Sequence, residues 1–167
     1  GGKASAHLAT AGKKLPVISA LVTKSVFDRI AVDGERAGDT RRFSAVYLDQ
    51  PLARQLSLID IAFPQRKRLL LIVGETSAEA VNTLAAMSKA KGFNLTVERV
   101  QDEEEIHAAL TRRLTATDLL LSLPDSRVLN ARTVRGILLT SYRYQVPVFA
   151  FSAAYVKAGA LLSLSST

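Results

Sequence analysis

Cysteine is absent from this 167-residue chain, and so is tryptophan. The first absence excludes a disulfide scaffold, a thiolate nucleophile and any Cys-ligated zinc. The second, with aromatics at only 6%, weakens the case for a stacking platform that would hold single-stranded nucleic acid. The two histidines, His7 and His107, lie far apart in unlike segments, which argues against a His-rich metal site. No apolar stretch approaches the roughly 20 residues that span a bilayer. Catalytic signatures are missing too: there is no Gly-x-Ser-x-Gly elbow, no Walker A loop, and no second glycine at dinucleotide-fingerprint spacing after Gly74. No cofactor and no metal are implied.

What is present suits a packed domain. The chain is 48% hydrophobic and 22% charged, enough apolar material for a sizeable core. Its net charge of +7 is uneven. Residues 1–68 carry 12 basic and 6 acidic side chains, residues 69–122 carry 5 and 8, and residues 123–167 carry 5 and 1. A basic protein raises nucleic acid as a partner. No run of five or six like charges occurs, however, and the densest cluster, Gln65-Arg66-Lys67-Arg68, precedes an apolar strand as a solvated turn. An ordinary basic surface is the better reading, with no nucleic acid bound. The chain opens Gly-Gly-Lys-Ala without Met or signal peptide and closes on Leu-Ser-Leu-Ser-Ser-Thr straight after an expected strand. Both ends lead us to expect a piece of a longer protein.

Strands and helices alternate along the chain. Arg68–Val73 is a continuous apolar run, the signature of a strand buried on both faces. Residues 77–91 follow as a helix with Ala78, Val81, Leu84 and Ala85 on one face and Gly92 as its stop. Leu95–Val100 alternates and reads as a strand nearer an edge. Asp102–Glu105 opens a helix, because carboxylates in a first turn complement the helix dipole; Ile106, Ala109, Leu110 and Leu114 are its buried face. Asp118–Leu123 is a strand. Asn130 caps a helix with Val134, Ile137, Leu138 and Ser141 inward. Val146–Phe151 is a strand, Ser152–Gly159 a turn or short helix, and Ala160–Leu164 a strand. Earlier in the chain, Lys3–Ala11 suggests a short helix, Leu15–Val22 a buried strand and Ser25–Ile30 a helical turn. Asp33–Thr40 suggests a loop and Phe43–Leu48 a strand. Asp49-Gln50 can cap a helix that takes Pro51 in its first turn and carries Leu52, Leu56, Ile59 and Phe63 as its stripe. This alternation predicts an α/β fold, a doubly wound and mainly parallel sheet with helices on both faces and a flavodoxin-like strand order.

In such a sheet, ligands meet the loops at the carboxyl ends of the strands. That rule selects Gly74-Glu75-Thr76-Ser77, Pro124-Asp125-Ser126 and Ser152-Ala153-Ala154-Tyr155. Their hydroxyls, carboxylates and helix-start N–H groups suit a small polar ligand, although Thr76, Ser77 and Ser126 also fit as plain helix caps. A phosphoacceptor domain of the same fold needs an early acidic pair; Asp125 and Lys157 match only the later positions of that pattern.

Several segments together resemble a known family: Ser44-Ala-Val-Tyr-Leu-Asp-Gln-Pro-Leu-Ala-Arg-Gln-Leu56, Leu123-Pro-Asp-Ser126, Ser141-Tyr-Arg143, Val146-Pro-Val-Phe-Ala-Phe-Ser152 and Tyr155-Val-Lys-Ala-Gly-Ala160. They are similar to the substrate-binding components of ABC-type importers, in the branch related to tryptophan- and tyrosine-type binding proteins. The stretch from Pro147 to Ala160 is the most specific. The resemblance implies a type I periplasmic binding protein fold, two α/β lobes with a ligand in the cleft between them. It divides this chain into residues 1–42, the remnant of a first lobe and a loop, and residues 43–167, a second lobe without its C-terminal return. Phe43–Leu48 would cross the hinge.

The resemblance also implies a function without bond chemistry: a small polar solute bound in the periplasm and delivered to an ABC permease in the inner membrane. The implied ligand contacts are Glu75, Thr76, Ser77, Asp125, Ser126 and Ser152, to which the strand-end rule adds Tyr155. Ser152 stands where relatives that bind aromatic amino acids carry an Asp. An amino group would lose its best carboxylate partner there, which argues against an α-amino acid and leaves a purine, a peptide or another small polar solute. Two alternatives share the fold: a periplasmic sensor that signals to a membrane partner, and a doubly wound α/β enzyme, for which Asp125 and Glu75 are the available acids. Half a cleft leaves apolar surface exposed, and Leu15–Val22 is then expected to pair with a sheet edge or a second copy of this chain.

Overall fold

The computed structural model describes residues 16–36, 43–74 and 78–165. The expected helix over Lys3–Ala11 and the loop residues Glu75, Thr76 and Ser77 lie outside them. The chain divides into two units, the first ending at Gln50 and the second running from Pro51 to Ser165.

In the first unit, β1 (Val17–Val22) pairs in parallel with β2 (Phe43–Tyr47) across α1 (Lys24–Arg36). The ladder shifts register between Ala20 and Val22, where Leu21 takes a left-handed φ of 58°. Val22, Phe27 and Ile30 are buried, and the Phe27 ring meets the edge of Tyr47 at 5.8 Å. Two expectations are corrected here. β1 is buried on one face only, with Ile18 73% and Leu21 68% exposed. The helical turn at Ser25–Ile30 is a 13-residue helix that continues through Gly34 to Arg36, into the stretch read as a loop. Asp49 also acts elsewhere than expected. Its Oδ2 accepts the Lys24 N–H at 2.5 Å and so caps α1. The following helix, α2 (Leu52–Ala62), has Pro51 at its N-cap and no side-chain cap.

The second unit begins with α2, whose Leu56 and Ile59 are fully buried while Leu52 and Phe63 pack on the same core. Then come β3 (Arg68–Val73), α3 (Ala78–Ala90), β4 (Asn94–Arg99), α4 (Glu104–Arg113), β5 (Leu119–Leu121), α5 (Val134–Arg143), β6 (Val148–Ala150), α6 (Ala153–Lys157) and β7 (Leu162–Ser163). All pairings in this sheet are parallel and the order is β4-β3-β5-β6-β7. Counted from β3, this is the 2-1-3-4-5 flavodoxin-like order. β4, with the alternating sequence, is an edge strand.

The pleat divides the core in two. Leu69, Leu71, Val73, Leu119, Leu121 and Phe149 point to one face, where Leu56 and Ile59 of α2 and Val81 and Leu84 of α3 cover them. Leu70, Ile72, Leu120, Val148 and Ala150 point to the other, under Ile106, Ala109 and Leu110 of α4 and Ile137 of α5. On α3, Val81 and Leu84 face inward as expected, but Ala85 is exposed, Ser88, four residues after Leu84, is buried, and Ala80 packs on the core.

Helix starts follow local chemistry. Asp102 Oδ1 accepts the N–H groups of Glu104 at 3.0 Å and Glu105 at 3.1 Å, and Glu105 Oε2 accepts the Gln101 N–H at 2.8 Å. This reciprocal pattern resembles a capping box. Asn130 Oδ1 accepts N–H bonds from Arg132 and Thr133, and Thr133 Oγ1 accepts the Asn130 N–H in return. Asn130 therefore shapes the turn leading into α5.

Candidate functional site

Because β3, β5 and β6 are adjacent and parallel, their carboxyl ends share one edge of the sheet. The crevice between β3 and β5 is the point where strand order reverses, the place where open α/β sheets bind ligands. Three loops arrive there, after Val73, after Leu121 and after Ala150.

Asp125 organises this edge. It is only 2% exposed. Its Oδ2 accepts the N–H of Gly74 at 2.9 Å, across 51 residues of sequence. Its Oδ1 accepts the N–H of Arg127 at 3.0 Å and lies 3.4 Å from that of Val128. The carboxylate thus ties the loop after β3 to its own loop.

Arg127, which the sequence did not single out, adds a second tie. Its aliphatic stem lies against Gly74: a Cβ placed there would come within 3.1 Å of Arg127 Cβ and Cδ and 3.2 Å of Asp125 Oδ1. Its guanidinium donates from Nη1 to the Gln101 carbonyl, just after β4. Loops following three strands are thereby joined by two side chains. The only sequence sign was position: Arg127 follows the turn Asp by two residues, as a solvated side chain also would.

Of the other expected site residues, Ser126 is exposed, and its carbonyl accepts a bond from Asn130 Nδ2 at 3.0 Å. Ser152 is half-buried and precedes α6 in extended backbone, without capping it. Tyr155 stands on α6 with its ring 4.9 Å from Phe151, and its hydroxyl donates to the Leu129 carbonyl at 3.2 Å. Burial pushes its phenol pKa up. Tyr155 therefore links the loop after β6 to the loop after β5. A small cavity of about 10 Å³ lies beneath, lined by Ser122 and apolar side chains such as Ile72 and Leu129. It has room for about one water and is no solute pocket.

Two further carboxylates near the sheet are ion-paired. Glu98 on β4 is bracketed by Arg112 at 2.7 Å and by Arg113. Burial opposes its charge, but bonds to the two guanidinium groups outweigh that and hold its pKa below the usual range. Glu103 accepts from Arg132 at 2.6 Å and Asn130 at 2.9 Å. His107 is exposed on α4. Among the described residues, no three His, Cys, Asp or Glu side chains group as metal ligands would, and no helix is long and apolar enough to cross a membrane. The described part of the edge carries the Ser126 and Ser152 side chains, while the Asp125 carboxylate is engaged by backbone N–H groups.

Comparison with known proteins matches this architecture. An ABC domain from Streptococcus pneumonia in complex with L-Trp superposes with a TM-score of 0.71 at 21% identity, over 98% of this chain and 55% of that one. A conserved domain protein from Vibrio cholerae gives 0.70 at 14%, over 98% and 63%. A periplasmic sugar binding protein of an ABC sugar transporter from Legionella pneumophila gives 0.57 at 10%, over 97% and 70%. The chain therefore spans a little over half the length of the first two. No curated protein matches it. Over residues 1–167 the sequence fits the family model described as ABC transporter substrate binding protein, and the chain belongs to that family.

Proposed function

We propose that the protein is the solute-binding component of an ABC-type importer, working in the periplasm. It would hold a small polar molecule at the carboxyl edge of the β3–β7 sheet and present it unchanged to a permease of the inner membrane. The observation that carries this reading is the family match along all 167 residues. The geometry supports it, because loops from adjacent strands meet at the switch point and are held there by Asp125, Arg127 and Tyr155. In this reading Glu75, Thr76, Ser77, Ser126 and Ser152 supply contacts, while Asp125 and Tyr155 fix the shape of the surface they line.

The test is a thermal-shift screen against amino acids, nucleobases, short peptides and sugars. Binding to the native state raises the melting temperature by mass action. A saturable shift with one chemical class is expected, and it should weaken in Ser126→Ala and Ser152→Ala while their ligand-free melting temperatures stay put. Recovery of a chemically altered ligand would replace this reading with an enzyme. No shift with any class, from folded protein, would remove support for binding at this edge.

A further inference from the structure

Beyond Asp125 the chain contains no acidic residue: residues 126–167 hold Arg127, Arg132, Arg135, Arg143 and Lys157 and neither Asp nor Glu. Two of these cations are engaged, Arg127 with the Gln101 carbonyl and Arg132 with Glu103. Arg135, Arg143 and Lys157 form no ion pair among the described residues.

Two of the three lie on α5, with an apolar stripe between them. This helix buries Ile137, Thr140 and Ser141 and packs Val134 and Leu138 on the core. Arg135, Gly136, Leu139, Tyr142 and Arg143 all face solvent, on an arc of about a third of the helix circumference. Leu139 is 47% and Tyr142 80% exposed. The turn after α6 adjoins, since a Cβ on Gly159 would meet Leu138 Cδ1 at 4.0 Å. Val156, Lys157 and Leu161 are exposed in that segment.

We propose that this outward face of α5 docks on an anionic phospholipid surface. Leu139 and Tyr142 enter the headgroup layer, and Arg135 and Arg143 face the lipid phosphates. The charge complementarity is one-sided, because no carboxylate on the face or in the adjoining α6 segment would be repelled. The shape favours a bilayer over a protein partner. A peptide gains affinity by placing anchors in pockets, whereas this face is a convex helix surface, and a Cβ on Gly136 would meet nothing within 4 Å. Tyrosine flanked by arginine is the composition of the membrane interface. Each such cation raises partitioning about fivefold, so attachment is weak, reversible and sensitive to salt.

The test is cosedimentation of the chain with vesicles of phosphatidylglycerol and phosphatidylcholine in equal parts, beside vesicles of phosphatidylcholine alone. Binding to the anionic vesicles at low salt and its loss at high salt are expected. The double variant Arg135→Ala/Arg143→Ala should partition about 25-fold less, with unchanged circular dichroism, because both positions are exposed. Since the chain has no tryptophan, Tyr142→Trp provides a single reporter whose emission should shift to the blue on the anionic vesicles. Absence of binding, equal binding to both vesicle types, or full binding by the double variant overturns the proposal. So does an unshifted Tyr142→Trp emission on vesicles when poly-glutamate binds the same face, which would make it a site for an acidic protein.

Discussion

At the scale of single residues, Asp118 shows how one carboxylate fastens two strands. It accepts from Arg68 Nη2 at 2.6 Å and Nε at 3.1 Å, and from the N–H groups of Arg68 and Lys67 at 2.9 and 3.1 Å. The Arg68 side-chain bond lowers its pKa most, from 3.8 to about 2, against the opposing effect of burial. A carboxyl that titrates lower in the folded state contributes stability fully above its unfolded pKa and loses it as pH falls toward the folded one. Stability should therefore drop between about pH 4 and pH 2, by on the order of 1 kcal/mol once solvent screening is allowed for. Asp118→Asn should remove that part of the profile in acid titrations followed by circular dichroism. Asp125 makes a different prediction. Asp125→Ala strands buried N–H groups, Gly74 foremost, at a cost of about 1–3 kcal/mol. Asp125→Asn retains an acceptor and should lose less in urea melts. The position of Asp125 at a strand end was legible from sequence. Its partner was not, because a bond across 51 residues exists only once β3 and β5 are neighbours. Arg127 was missed for the same reason.

At the scale of elements, the strands were the easiest to read. Arg68–Val73 and Asp118–Leu123 are apolar runs because both faces of the sheet are covered, and solvent leaves no alternation in them. α1 was harder. Asp33-Gly34-Glu35-Arg36 carries the composition of a loop, yet the helix runs through it. A glycine costs a helix only about 1 kcal/mol, and packing of Phe27 and Ile30 outweighs that. Ser88 was overlooked on α3 because apolar periodicity cannot flag a small polar residue that fits a buried position. Helix ends offer a matched pair of tests. Gly92 closes α3 at φ 75° with open space around it, and Gln145 closes α5 at φ 56°. Replacing Gly92 by Ala should cost about 1 kcal/mol, and Gln145→Gly should gain up to about that much. Both shifts are readable as changes in urea midpoint, and equal signs would refute the conformational explanation.

At the scale of the whole molecule, the second unit has two core layers of its own and a five-stranded parallel sheet among the described residues. Residues 51–165 expressed alone should melt in one cooperative transition, with coincident near- and far-ultraviolet signals; a broad, non-coincident transition would show that this core depends on the first unit. The doubly wound class was legible because apolar strands and one-sided helices alternate along the chain. The exposed face of β1 was not, because an apolar strand carries no mark of which side will be covered. β3, finally, is bonded on both sides, and none of its last five residues exceeds 5% exposure. No local opening frees its amides, so deuterium should enter Leu69–Val73 only when the whole unit unfolds. The exchange rate of this strand then serves as an internal gauge, reading global stability in plain buffer and registering any bound solute as a slower clock.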